Sequence, residues 1–599
     1  MTMLTEHQKA ALKFDKHISL TANAGSGKTF VLSKRYLEIA LSQKYPNLRN
    51  IAAISFTEKA SSELYKKIAR ETEERLEASN DSVEISKLET IRRQLVSANI
   101  STIHSFCIDV LRENPVEAGL DANFSAIDEV LSDELIELSV DELLKNIFKT
   151  HEDEDKLKYL IRIYGSKSLL TREIISLVKR RKNVLVLADR IYNKSSEEIA
   201  EYFHKTYEDT FEQIFSPKLP GIISAINSIN GAVLNDKPGN ESGIEVSSLL
   251  KQLDNIDSFI QKISVLKVIG EYLLTQSGGV KKRGYLNKLA DDFTEEILVI
   301  QEFYSSVKSI NLDDVNPKIE FALAEFGVNL LTLFYKALER YNLKKKENGY
   351  LDYEDILLFT QEILDNPVVR EALSQKYKYI MIDEYQDTNE IQYNIFLPIL
   401  DHLKKGNLFV VGDEKQSIYM FRDAELEVFD RTRNDIDETE GLNKLLTLPE
   451  SFRMAPAIAL FTNKLFSKIF NEPNLVFNEV EYDDLVCASK TETEGKIEIL
   501  LGRNPSESEE DISEDELIAR KILSLVAGGS QSETNFSDIA ILCRRRKEFK
   551  ELENIFVKYC IPFVVVGGKG FYQRQSIYDI YNYFSFLLNN EDDTALVGT

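Results

Sequence analysis

The chain of 599 residues contains no tryptophan and only four cysteines. Cys107, Cys487, Cys543 and Cys560 lie far apart and form no CxxC pair. They make neither a disulfide framework nor a cysteine metal site, and a reducing cytoplasm is the natural reading. Long apolar runs are missing too. No uninterrupted stretch has spanning length, so no membrane is expected. The N-terminus, MTMLTEHQK, lacks the basic-then-apolar order of a signal peptide. Positive charge is in deficit, with 73 Lys and Arg against 98 Asp and Glu, a net of −25. That balance argues mildly against a generic polyanion binder and leaves room for a local basic channel. Hydrophobic residues at 43% and charged ones at 29% suit a soluble globular protein. At this length one compact core is implausible, and several domains are expected.

The most informative stretch is His17 to Thr29, HISLTANAGSGKT. A β-branched, apolar lead-in breaks into a small-residue loop, Ala22-Asn23-Ala24-Gly25-Ser26-Gly27-Lys28-Thr29. Such a loop folds its N–H groups around phosphates, with the lysine on the β/γ-phosphates and the hydroxyl on Mg²⁺. A helix expected over about 29–41 aims its positive end at the same anion. Ala22 stands where the full pattern asks for glycine. An ordinary strand-to-helix turn is the alternative, and the order strand, loop, Lys-Thr, helix makes it the minority reading. Upstream, Gln8 follows the start of an amphipathic helix and can bond adenine through its amide.

Further along, NIAAISFT (50–57) and STIHSFCIDVLR (101–112) each end a strand in hydroxyl and aromatic residues. Strand C-terminal ends form the ligand face of an α/β sheet. Phe56, Thr57, Thr102 and His104 therefore suit phosphate and base contacts. Phe106 reads as core, and Phe56 is an even choice between core and contact. From about Glu113 to Gly349 strand–helix alternation gives way to helical periodicity. The basic clusters Lys179–Lys182 and Lys344–Lys346 read as solvated faces. The α/β pattern resumes at LDYED (351–355). The strand YKYIMI then runs into Asp383-Glu384-Tyr385-Gln386-Asp387. Acids at the end of a buried strand are costly unless they hold a cation. Asp383 suits the Mg²⁺ and Glu384 the general base for the attacking water. A further strand, 407–411, delivers GDEKQSIYMFR (412–422). There Gln416 suits a γ-phosphate sensor, while Tyr419, Phe421 and Arg422 suit stacking on bases. An ordinary core loop competes evenly there. Beyond it come Phe452 and Arg453, then strands read at 496–501, 538–543 and 562–566.

Together LTEHQ, ANAGSGKT, ISFTEKASSEL, TIHSFC, DEYQDT, VGDEKQSIYMFR, SFR and IAILCR…IPFVVVGGKGF resemble the UvrD/Rep-type superfamily 1 DNA helicases. The form of the phosphate loop, and LRENPVEAGLDANFSAIDE, are similar to the AddA/RecB branch. The resemblance implies an α/β fold. RecA-like P-loop NTPase domains, parallel sheets flanked by helices, would carry a large, mostly helical inserted domain. Residues 1–112 and 350–440 would form the first RecA-like domain, 113–349 the helical insert, and 441–599 an incomplete second RecA-like domain. Carried over by motif, Gln8 reads adenine, and Arg35 and Phe452 flank the base. Lys28, Glu384, Gln416 and Arg453 are catalytic, the last as an arginine finger. Thr29 and Asp383 hold the metal. Phe56, Thr57, Thr102, His104, Tyr419, Phe421 and Arg422 face DNA, Phe421 standing where many members have tryptophan.

ATP and Mg²⁺ are the implied cofactors. Single-stranded DNA and duplex with a 3′ tail are the implied partners, with an AddB-like or other partner chain. The activity implied is ATP-driven 3′→5′ movement in double-strand-break processing, recombination or repair. Two late motifs of such helicases, and a nuclease segment, are not found, so the chain reads as the N-terminal part of a longer motor. A nucleotide-gated DNA-binding subunit without turnover is the rival reading. A P-loop ATPase or kinase that does not bind DNA is disfavoured, because TIHSFC and the 419–422 loop would have no role.

Overall fold

The computed structural model describes residues 4–281, 285, 292–310, 317–418, 425–439, 445–473, 479–489, 494–501, 512–527, 534–566 and 575–588. The chain divides into two units. The first holds Met1–Asn23, Gly27–Leu448 and Leu475–Val480; the second holds Ala24–Ser26, Pro449–Asn474 and Glu481–Thr599.

The first unit is built on strands β1 (Ile18–Ala22), β2 (Ile51–Ser55) and β3 (Asn99–Thr102), with two short strands, β4 (Ser125–Ala126) and β5 (Tyr350–Leu351). It continues with β6 (Tyr379–Ile382), β7 (Asn407–Gly412) and β8 (Leu445–Leu448). Six of these form one sheet in the order β3-β2-β6-β7-β1-β8, with every neighbouring pair parallel. Parallel strands are covered on both faces, so their sequences read as near-continuous apolar runs. Alternate residues enter opposite cores. Ile380 and Ile382 join Ala52, Ile54 and Val410, whereas Met381 joins Ala53, Phe409 and Val411. Phe106 is core as expected, 2% exposed, with its ring against Tyr377 and Phe396. Leu445–Leu448 falls in the stretch assigned from sequence to the second domain, yet it pairs with β1. Its apolar residue Leu448 completes the first core.

Between β3 and β6 the chain leaves the sheet. β4 and β5 pair in parallel and tie the two ends of the insertion together. Ser125 N–H donates to the Gly349 carbonyl at 2.9 Å, and Ile127 N–H to that of Leu351 at 2.9 Å. Helices from Glu129–Thr150 to Pro317–Asn348 lie between them. They enclose two cores, one from Ile136 to Val178 closed by Leu333–Tyr341, the other from Phe211 to Val307. Helix Pro317–Asn348 has the length and apolarity to cross a membrane. Here its Leu333, Phe334, Ala337 and Tyr341 are fully buried in the first of these cores.

The second unit pairs β9 (Glu450–Ser451) with β10 (Val486–Cys487). Its small core joins Ala519 and Ile522 of one helix to Leu552 and Phe556 of another, with Ile561. The stretches 496–501, 538–543 and 562–566, expected as strands, carry no ladder among the described residues. Their alternation is of strand type, but a strand is stabilised only by a partner.

His17, just before β1, is buried. Its Nδ1 accepts from Leu408 N–H at 3.0 Å, so its Nε2 carries the proton and donates to the Leu403 carbonyl at 2.9 Å. Burial lowers its pKa, against which the Leu403 bond works. The neutral ring's contribution is therefore present above the ordinary imidazole value and lost as pH falls below it. Urea unfolding should show the advantage of wild type over His17→Gln shrinking from pH 7.5 to 5.5. An advantage that grows on acidification would refute this account.

Candidate nucleotide site and nucleic-acid face

The phosphate loop begins where β1 ends. Ala22 and Asn23 are buried, and Asn23 N–H donates to the Leu448 carbonyl at 3.2 Å. Gly25 and Gly27 have φ of +78° and +87°, which only glycine adopts without strain. A Cβ on Gly27 would lie 3.2 Å from Gln8 Nε2 and 3.8 Å from Phe30 Cβ. Helix Lys28–Ser42 follows directly, with Thr29 as its second residue. The loop tip, Ala24–Ser26, groups with the second unit. Phe452 N–H donates to the Gly25 carbonyl at 3.0 Å. A Cβ on Gly25 would stand 2.6 Å from that of Arg453. The tip thus lies against Phe452 and Arg453, with Phe452 43% exposed.

Gln8 is buried, and its Oε1 accepts from Thr5 N–H at 3.1 Å in a capping box. The amide expected to read adenine also caps its own helix.

Asp383 and Glu384 stand at the C-terminal end of β6. Asp383 N–H donates to the Ile54 carbonyl at 2.9 Å, and its carboxylate accepts from Glu384 N–H at 3.0 Å. Glu384 has φ +51°, a left-handed conformation uncommon outside glycine and of the kind that clusters at functional sites. Burial, then the Glu384 charge, push Asp383 up to about 6, with Lys28 opposing. Asp387 is likewise pushed up to about 6 by burial and Glu384, again against Lys28. Lys28 is the cation these acids share.

From Lys28 one chain of polar contacts runs across the sheet ends. Lys28 Nζ donates to Glu384 Oε2 at 3.0 Å, and Gln386 Nε2 donates to the same oxygen at 2.8 Å. Gln386 Oε1 accepts from Asp413 N–H at 2.9 Å. The Asp413 carboxylate accepts from Gln416 Nε2 at 2.6 Å and from Lys415 Nζ at 3.0 Å. A Cβ on Gly412 would stand 2.6 Å from Gln386 Oε1 and 3.0 Å from its backbone N, so glycine leaves the Gln386 amide room for this link. Gln416 is thereby tied to the acids around Lys28.

Arg35 departs from expectation. It is fully buried, donates to the carbonyls of Ala11, at 2.7 Å, and Lys13, and reaches Asn407 Oδ1 at 2.8 Å. Its guanidinium lies 4.4 Å from the centre of the Phe409 ring. Burial lowers its pKa to about 9. Arg35 braces the first helix against the sheet and cannot flank a base.

Of the residues expected to face DNA, Phe56 is half-buried and Thr57 exposed, although the Thr57 hydroxyl caps a helix by accepting from Ala60 N–H at 3.1 Å. Thr102 is a correction. It is 6% exposed, and its hydroxyl donates to Glu58 at 2.9 Å and accepts from Ser105 N–H at 3.3 Å. Its bonding is spent internally. His104 is half-buried, its ring 4.9 Å from that of Tyr353. Burial lowers its pKa to about 4, so it meets any ligand as a neutral ring. Tyr419, Phe421 and Arg422 lie outside the described residues.

A family model described as the UvrD/REP helicase N-terminal domain matches residues 3–437. The chain belongs to the UvrD/REP helicase family. A UvrD-like helicase C-terminal domain matches 446–597. An ATP-dependent helicase/nuclease subunit of Lactococcus lactis subsp. cremoris is 28% identical over 94% of this chain and 49% of its own length. The protein of the same name in Natranaerobius thermophilus is 26% identical over 97% of this chain and 50% of its own. That of Lactobacillus johnsonii is 26% identical over 100% and 53%. The chain thus spans about half the length of these curated relatives.

Within this UvrD/REP helicase fold, two residues escaped the sequence reading. Gln386 uses both ends of its amide to join Glu384 to Asp413. Tyr353, 47% exposed, pairs its ring with that of His104. Its signal was an aromatic residue between acids in LDYED. Among the described residues no group of three or more His, Cys, Asp or Glu side chains is arranged so that it could hold a metal ion by itself. A protein site with one buried carboxylate and one hydroxyl fits Mg²⁺, which keeps waters and substrate phosphates as its remaining ligands.

Proposed function

We propose that this chain is an ATP-driven DNA motor of the helicase type, moving 3′→5′ on single-stranded DNA in double-strand-break processing. The observation that carries the reading is the chain Lys28–Glu384–Gln386–Asp413–Gln416. It links the phosphate lysine to the loop that precedes the expected DNA-facing residues 419–422. Lys28 and the loop N–H groups hold the phosphates, and Thr29 with Asp383 would hold Mg²⁺, which neutralises charge on them. Glu384 takes a proton from the water whose oxygen bonds to the γ-phosphorus as the bond to ADP breaks. Gln416 senses the phosphate, Arg453 stabilises developing charge, and Gln8 and Phe452 hold the base. Single strands and 3′-tailed duplexes are the substrates, and a second protein chain is the partner. Hydrolysis stimulated by single-stranded DNA tests this reading; binding of ATP and DNA without turnover would favour the nucleotide-gated rival.

The His104–Tyr353 ring pair makes its own prediction. Tyr353→Ala should cost about 1–3 kcal/mol of single-strand affinity if a base stacks there. Duplex affinity should change less, because paired bases offer no free face. Equal weakening of both would return Tyr353 to a structural role.

A further inference from the structure

The turn that presents Tyr353 is held by residues of the helical insert. Asp352 caps helix Tyr353–Ile363 and Asp355 completes a capping box with it. With Glu354, this puts three carboxylates into one helical turn, all largely buried. Such a turn repels itself unless cations enter, and both come from the helical insert. Arg181 Nη2 reaches Asp352 at 2.5 Å and Asp355 at 2.9 Å, while its Nη1 reaches Glu354 at 3.0 Å. Lys345 Nζ lies 2.9 Å from Asp352 Oδ2 and also pairs with Asp355. Tyr341 donates to Asp352 Oδ2 at 2.6 Å and meets Ser132 at 2.8 Å. Arg181 and Lys345 are 5% and 3% exposed, so these two members of basic clusters read as solvated are sealed in. Tyr353 is the residue left pointing out, beside His104.

We propose that Arg181 and Lys345 are positioning residues through which the helical insert sets the stacking platform of Tyr353 and His104. This rests on reading that platform as a single-strand contact. The insert then governs DNA grip without touching DNA at these residues.

A double-mutant cycle on the full chain tests it, with a fluorescent oligothymidylate as ligand. Arg181→Met should lower affinity about tenfold, within the usual range of coupling between sites. The salt dependence should be unchanged, since no phosphate contact is lost. In a Tyr353→Ala background the same substitution should add less than about twofold, because its route to DNA is gone. Equal loss in both backgrounds, or no loss in the first, overturns the proposal. Amide exchange guards against simple unfolding. Arg181→Met and Lys345→Met should each loosen residues 350–356 while β6 and helix Lys28–Ser42 stay protected; uniform loosening, or none, overturns it. Should the unaltered chain not bind oligothymidylate, the DNA reading falls. Exchange then decides alone whether the insert sets Tyr353.

Discussion

Glu384→Gln should cut ATP turnover by about 10²–10⁴-fold, the range for loss of a general base, while nucleotide binding persists or tightens. The substitution keeps shape and removes charge. In the proposed site Asp383 would remain to hold the metal, its carboxylate accepting from the 384 N–H. Binding has reason to tighten, because Glu384 and an ATP phosphate compete for Lys28, whose Nζ lies 3.0 Å from the carboxylate. With neutral glutamine there the lysine is free for the phosphate. Single-turnover hydrolysis and calorimetric titration with Mg·ATP separate the two effects. A parallel loss of affinity and rate would make Glu384 a direct metal ligand and end its assignment as base.

What the sequence could show of this site follows from what is local. The phosphate loop and the acid-ended strand were readable because glycine and buried acids carry their reasons within a few residues. Strands of the first sheet were readable because burial on both faces leaves apolar runs. Arg35 was not, because its partners Ala11, Lys13 and Asn407 belong to other elements, the last 372 residues away. Thr102 looked like a ligand hydroxyl because a helix cap uses the same residue type. Gln386 was visible as a residue, but its link to Asp413 depends on β6 and β7 lying side by side. The basic clusters failed for a different reason. Neighbours along a helix differ in phase, so Lys345 is buried while Lys344 beside it is half-buried. Periodicity at 496–501, 538–543 and 562–566 tells which residues share a face, never whether a partner strand is present.

Lys28→Ala should abolish measurable hydrolysis, losing at least about 10²–10³-fold in rate, as when one preorganised charge donor is removed, and should weaken nucleotide binding as well. A second readout ties the effect to this geometry. Lys28 is the cation that opposes the upward push on both Asp383 and Asp387, each held at about 6. Without it their folded-state pKa values rise further, so the folded state takes up more protons through the window from their ordinary value upward. A group whose folded pKa is raised in this way loses stability as pH climbs through that window, and the loss persists above it. The stability deficit of Lys28→Ala relative to wild type should therefore be larger at pH 7.5 than at pH 5. Glu384→Gln, which removes a negative charge from the same cluster, should shift stability in the opposite direction at pH 7.5. Thermal unfolding of both variants at the two pH values checks this. A Lys28→Ala deficit independent of pH would mean that the lysine does not compensate these acids, and the electrostatic account of the site would fail even if hydrolysis were lost.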